Sequence, residues 1–141
     1  MSKLVVHATC LSLLVGPEWR GVLILGPSGV GKSDFALRAI EHGWSLVSDD
    51  YSCLWSSGGY LYAAPPDTIA GKLEIRGLGI ANEPIRRLTR VHLCAFAQSD
   101  PIERLPEAEV TPILGHEVPT LRLNPREASS LPKLVTKLRT L

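Results

Sequence analysis

Gly26-Pro27-Ser28-Gly29-Val30-Gly31-Lys32-Ser33 fits the pattern G-x-x-x-x-G-K-S, and what lies on either side decides how it is read. Upstream, Gly21 opens the run Val22-Leu23-Ile24-Leu25, which is short, wholly apolar and closed by glycine, as a strand buried on both faces requires. Downstream, Phe35, Ala36, Ala39 and Ile40 recur at helical spacing between Ser33 and Glu41, and Gly43 is placed to end that helix. A glycine-rich turn between a strand and a helix folds its backbone around phosphate. Consecutive N–H groups point inward, the helix start adds partial positive charge, Lys32 neutralises β and γ oxygens, and Ser33 can hold Mg²⁺. Each residue from Gly26 to Ser33 is therefore a candidate ATP contact.

Trp44-Ser45-Leu46-Val47 reads as the next strand, ending at Ser48-Asp49-Asp50. Strand, helix and strand predict a βαβ unit with a right-handed crossover, and so an α/β fold. The acid pair then falls at the carboxyl edge of the sheet, where the phosphates also lie. An acid there can coordinate magnesium through water or accept a hydroxyl proton. Successive side chains of an extended chain point opposite ways, so Asp49 and Asp50 are expected to differ in role.

Further out, Leu4 to Val15 predicts one or two strands turned at Gly16-Pro17, and Tyr51–Trp55 with Tyr60–Ala64 predicts a hairpin around Ser56-Ser57-Gly58-Gly59. Gly71 to Ile80, with three glycines, reads as a backbone-shaped loop. Arg90 to Ala97 is a strand, Gln98 to Glu109 a charged connection, and Val118 to Leu123 a last strand. Asn124-Pro125-Arg126-Glu127 offers a helix start, followed by a stripe of Leu131, Leu134, Val135, Leu138 and Leu141.

Composition bounds the rest. A chain of 141 residues, 45% hydrophobic and 21% charged, has core enough for one domain spanning 1–141. Fifteen Lys and Arg against 14 acids leave a net charge of +1, too little to hold nucleic acid or an anionic membrane by charge alone. No stretch approaches the ~18 apolar residues of a membrane span. Cys10, Cys53 and Cys94 are odd in number and lack any CxxC pair, which argues against a disulfide framework or zinc site and for a reducing cytoplasm. His42 and His92 are read as structural, and Arg86, Arg87 and Arg90 as a local basic cluster.

The order His7, then GPSGVGKS, then LVSDD, then Leu73-Glu74-Ile75-Arg76-Gly77-Leu78-Gly79-Ile80 resembles the catalytic domain of the HPr kinase/phosphorylase family, from about His7 to Arg104. The octapeptide at Leu73 is more specific than the phosphate loop. The resemblance implies a P-loop core similar to phosphoenolpyruvate carboxykinase, and ATP-dependent phosphorylation of a serine of the phosphocarrier HPr. Many members also run the reverse phosphorolysis. It implies Lys32 as the catalytic lysine, Ser33 and Glu74 as magnesium ligands, Asp50 as the base toward the serine, His7 as the catalytic histidine and Arg104 as the catalytic arginine. Asp49 would support magnesium or loop geometry.

Two departures qualify these expectations. The chain begins almost at the catalytic histidine, as in short α-proteobacterial members lacking the N-terminal domain. Nothing in Val118 to Arg126 clearly matches the family's arginine- and glycine-rich C-terminal motif, so the reverse reaction is expected to be the slower one. The resemblance also implies a homo-oligomer, hexameric in relatives, acting in the cytoplasm. The reading from another class is an ATP-binding regulatory module that transfers little phosphate; retention of Asp50 and Glu74 speaks against it.

Overall fold

The computed structural model describes residues 2–141. In chain order the elements are β1 (Lys3–Val6), β2 (Thr9–Val15), β3 (Glu18–Leu25), α1 (Lys32–Glu41), β4 (Ser45–Ser48), β5 (Ser52–Ser57), β6 (Tyr60–Ala64), β7 (Lys72–Ile75), β8 (Gly79–Asn82), β9 (Thr89–Ala97), β10 (Glu109–Ile113), β11 (His116–Leu123) and α2 (Ser130–Arg139). One large sheet runs β1-β5-β6-β9-β3-β2-β4, with β11 also on β9 and β10 on β11. The fold is α/β, as the phosphate-loop context implies.

The apolar run of β3 is buried on both sides, as its sequence requires. Val22 and Ile24 join the core under α1 and α2, while Leu23 joins a second core on the opposite face. α1 contributes Phe35, Ala36 and Ala39 to the first core. α2 lays down Leu131, Leu134 and Leu138, whereas Leu141 stays exposed. The second core is enclosed because the sheet curls. Leu54 of β5, Leu61 and Ala63 of β6, and Ile113 and Val118 of the β10–β11 hairpin close over Cys10 and Cys94. Burial pushes both thiols up, that of Cys94 to about 12, so they pack as apolar groups.

The sheet curls around β9. One edge of β9 runs parallel to β3, from Gly21 opposite Val91 to Leu25 opposite Phe96. Its other edge is shared: Arg90 and Thr89 pair antiparallel with Tyr62 and Ala63 of β6, and Cys94 to Ala97 pair parallel with Thr120 to Leu123 of β11.

The structure corrects the sequence reading in four places. β3 and β4 run parallel, but they are not neighbours, because β2 lies antiparallel between them. The two-residue turn Gly16-Pro17 folds β2 directly onto β3 and fills the place a simple βαβ unit would give to β4. The segment 71–80 is no open loop, since β7 and β8 pair in register from Lys72 opposite Asn82 to Ile75 opposite Gly79. β10 has no clear pattern in sequence and exists through its pairing with β11. The last helix begins at Ser130, because the Asn124 side chain instead accepts a hydrogen bond from the Arg126 N–H at 3.0 Å and holds a turn.

The structural histidines find partners: His92 Nε2 lies 2.7 Å from Glu18, His42 Nδ1 2.8 Å from the Arg38 carbonyl and His116 Nε2 2.7 Å from Ser56 Oγ. Arg86 stacks over Trp19 and Arg90 over Tyr60. No helix among the described residues is long and apolar enough to cross a membrane.

Gly21 tests the β3–β9 seam. Its φ is ordinary, yet a Cβ there would stand 2.5 Å from the Arg90 carbonyl oxygen. Gly21→Ala should therefore lower stability by about 1–3 kcal/mol, the range for overpacking, with nucleotide binding retained in the folded fraction. Chemical denaturation and labelled-nucleotide binding measure the two separately.

Candidate active site

β3, β4, β9 and β11 all run in the same direction, so their carboxyl ends share one edge of the sheet. The phosphate loop follows β3, the acid pair follows β4, and Asn124-Pro125-Arg126 follows β11. Between them lies a cavity of about 360 Å³.

The phosphate loop is fixed at both ends. Gly26 adopts φ 138°, and a Cβ on it would meet the Ala97 carbonyl oxygen at 2.5 Å, so the loop leaves β3 pressed against the end of β9. Gly31 caps α1 at φ 108°. Ser28, Gly29, Gly31, Lys32 and Ser33 line the cavity, while Val30 turns into the core and Gly26 and Pro27 stand behind. The Lys32 ammonium donates to the carbonyls of Gly26 at 2.5 Å and Pro27 at 3.0 Å. Burial pulls its pKa below the usual lysine value, opposed by the charges of Asp50 and Asp49.

The two acids diverge as expected. Asp49 is only 4% exposed and sits behind Ser33, whose hydroxyl reaches both its carboxylate oxygens at 3.0 Å. Thr9 of β2, fully buried, donates to the same carboxylate at 3.0 Å. Burial raises the Asp49 pKa, and the hydrogen bonds from Thr9 and Ser33 restrain the rise. Asp50 instead adopts φ 66°, a left-handed conformation uncommon for a residue with a side chain, and the Tyr51 N–H closes back onto the Asp49 carbonyl at 2.7 Å. That twist turns the Asp50 carboxylate into the cavity, where its side chain is 57% exposed. His7 Nε2 stands 3.9 Å from it, and the imidazole lies against the Tyr51 ring at 5.3 Å between centroids.

Glu74 of β7 and Arg76 in the turn beyond it line the same cavity. Ser33 and Glu74 offer hydroxyl and carboxylate oxygens to the cavity, the hard donors that suit Mg²⁺, whereas Asp49, expected to support magnesium or loop geometry, stands behind Ser33 and holds its hydroxyl. No cluster of three or more His, Cys, Asp or Glu that could hold a metal occurs among the described residues. The sparse protein set fits an ion that keeps several waters and completes its shell with phosphate oxygens.

The structure brings His7, Lys32, Ser33, Asp50 and Glu74 to the cavity, with Asp49 directly behind. It does not bring Arg104 there: that residue is exposed in the connection between β9 and β10. Two arginines that the reading of single residues passed over, Arg76 and Arg126, line the cavity instead. Arg126 donates to the Gly29 carbonyl at 2.8 Å, and the guanidinium of Arg38 in α1 holds the neighbouring Pro125 carbonyl. No sequence signal marks Arg126, because the direction of β11, which brings it to the phosphate-loop edge, is set by the sheet.

The family model for the HPr serine kinase C-terminal domain matches residues 2–138. This chain belongs to that family. Among curated HPr kinase/phosphorylases, the protein of Streptococcus thermophilus is 31% identical over 135 residues, covering 86% of this chain and 44% of that protein. The protein of Brevibacillus brevis is 48% identical over 63 residues, 44% of this chain and 20% of its own length. The chain thus spans less than half the length of those relatives. Among solved structures, the HPr(Ser) kinase/phosphatase from Coxiella burnetii aligns with a TM-score of 0.79 at 28% identity, covering 96% of this chain and 87% of that one.

The raised pKa of Asp49 has a stability consequence. The folded chain holds this proton at a pH where the unfolded chain has released it. The group's stabilising contribution is therefore complete below the unfolded pKa and lost as pH rises through the folded one. Burial makes the charged form of Asp49 unfavourable. Asp49→Asn, which keeps an oxygen for Thr9 and Ser33, should melt no lower than the unaltered chain at pH 7 and lose phosphotransfer. A scanning melt and a transfer assay on one preparation check both.

Proposed function

We propose that this chain is a single catalytic unit that phosphorylates a serine of the phosphocarrier protein HPr with ATP and Mg²⁺. The observation that carries the reading is the Asp50 carboxylate, turned by a left-handed backbone into the cavity that Lys32 and Ser33 also line. A carboxylate so placed faces an incoming hydroxyl beside a loop built for phosphate. The names of the relatives, kinases of HPr, support the choice of acceptor.

In this mechanism the phosphate-loop N–H groups and Lys32 hold the triphosphate, and Arg126 adds charge on the far side of Gly29. Ser33 and Glu74 would hold magnesium, which would supply charge neutralisation on the phosphates, and Asp49 fixes the Ser33 hydroxyl. Asp50 accepts the serine proton as the serine oxygen bonds to the γ-phosphorus and the bridging bond to ADP breaks. His7 Nε2 stands 3.9 Å from the Asp50 carboxylate and lines the same cavity. Catalysis is mostly positioning and charge neutralisation. The reverse step, phosphorolysis of phosphoserine, uses the same groups with inorganic phosphate in place of the leaving diphosphate.

Homo-oligomeric assembly is part of the same proposal. It is supported by the free edge of β1, where Leu4 and Val5 are exposed, and light scattering measures it. Cytoplasmic operation is supported by three free cysteines, which suit a reducing compartment.

Purified chain incubated with labelled ATP, Mg²⁺ and HPr should place label on a serine of HPr; ATP binding without transfer would make the chain a regulatory module instead. Asp50→Asn should cut transfer by about 10²-fold or more while ATP affinity persists, the scale of removing a general base. Equal loss of ATP binding would reassign Asp50 to the metal.

A parallel pair of variants separates the arginines. Arg126→Ala should lower kcat/KM by at least about tenfold, as expected for losing one charged phosphate contact, and Arg104→Ala should leave it near the unaltered value. The opposite ranking would return Arg104 to the site.

A further inference from the structure

Arg38 belongs to the last turn of α1 and does not line the cavity. Its guanidinium lies over the buried Phe35 ring, 5.3 Å from the centroid, and donates to the Pro125 carbonyl. That carbonyl is one end of the peptide unit leading into Arg126. The other end is held as well, because the Arg126 N–H donates to the Asn124 side chain at 3.0 Å. A peptide unit is planar, so partners on its oxygen and on its hydrogen together fix how the next Cα is turned. Arg38 and Asn124, acting on opposite ends, thereby set the direction in which the Arg126 side chain leaves the backbone.

That direction matters at the phosphate loop. Pro125 is buried, and a Cβ placed on Gly31 would stand 3.7 Å from the Cγ atoms of both Pro125 and Arg126, so the turn lies against the glycine that caps α1. From there the Arg126 guanidinium crosses to the Gly29 carbonyl at 2.8 Å, beside the cavity. Arg126 is exposed, and a long exposed side chain has many rotamers to lose before it points at phosphate. Its aim therefore depends on where its backbone starts. α1 carries Lys32 and Ser33 in its first turn and Arg38 in its last, so the helix that presents two groups to the nucleotide also orients a third that arrives from β11. A charge that merely steadied the helix end, as cations near a helix C-terminus do, would need no carbonyl of Pro125.

We propose that Arg38 is a positioning residue for phosphoryl transfer, fixing the peptide unit between Pro125 and Arg126 so that the Arg126 guanidinium faces the phosphates. This rests on the reading of the chain as a protein-serine kinase with Arg126 as a phosphate contact, and it adds the group that aims Arg126. Arg38 touches neither nucleotide nor acceptor. Its effect on rate passes through Arg126, so the two arginines behave in kinetics as one unit rather than as independent contributors.

The test is a double-mutant cycle on the full chain, with melting temperature followed beside transfer to HPr. Arg38→Met keeps an apolar stem beside Phe35 and removes the donors. It should lower kcat/KM by about fivefold or more, within the range for coupled neighbours of one hydrogen-bond network, and Arg38→Lys, which keeps a donor, should recover part of the loss. Added to Arg126→Ala, Arg38→Met should lower kcat/KM no further. Arg38→Gln, shorter and uncharged, carries the same cycle if the Met variant does not fold. A fall in melting temperature with kcat/KM unchanged overturns the positioning role and leaves Arg38 a helix-end charge. Losses that multiply in the double variant overturn it too. Arg126→Ala at full activity overturns the phosphate role of Arg126, and this inference with it. Failure of the unaltered chain to phosphorylate HPr overturns the kinase reading before any variant is compared, and the inference falls with that reading.

Discussion

The buried carboxylate of Asp49 is the joint on which the site depends. It sits at the end of β4, accepts from Thr9 on β2 and from Ser33 on the first turn of α1, and so ties three elements together at one point. A charge in that position is unfavourable by itself, and both hydroxyls are needed to hold it. The result is a serine hydroxyl with little freedom, set beside a lysine that its own loop carbonyls restrain. Thr9 and Asp49 never reach the cavity, yet they decide where Ser33 points.

Asp50 complements that joint by an opposite device. Where Asp49 is immobilised by hydrogen bonds, Asp50 is aimed by backbone conformation. The left-handed twist lets one strand end deliver one acid inward to the protein and the next outward to the cavity. His7, arriving from the link between β1 and β2, and Tyr51, which continues the twisted chain, flank the outward acid. A pair of adjacent acids is thus divided into a structural half and an accessible half by a single unusual φ angle.

The phosphate loop, its strand and its helix were legible because each depends on local pattern: an apolar run, glycines at fixed offsets, helical spacing. The hairpin of β5 and β6 was legible for the same reason, through Gly58-Gly59. What escaped depends on contacts distant in sequence. β4 was placed beside β3 because strand, helix and strand suggest adjacency, and nothing local announces that the Gly16-Pro17 hairpin has already taken that edge. β10 has a mixed pattern and forms because β11 pairs with it. Arg104 was carried into the site by resemblance of its neighbours, whereas Arg126 reaches the cavity through the direction of β11, which only the sheet reveals. The division of labour between Asp49 and Asp50 was expected from strand geometry, but the means, a positive φ, has no signature in an aspartate.

The position of β9 bears on how the chain acquires its site. β9 is the parallel neighbour of β3, Gly21 opposite Val91, and the P-loop is pressed against its last carbonyl. The motif that grips phosphate is encoded early, but the wall it rests on is encoded far downstream, and the arginine facing it later still. Non-local pairing of this kind makes folding slow relative to a helical bundle, because the intervening chain must close before the contact forms. During synthesis the early motif therefore emerges without its supporting strand. Competence to grip phosphate arrives only after the ribosome has released most of the chain, so a nascent fragment carrying the complete motif does not yet carry the complete site.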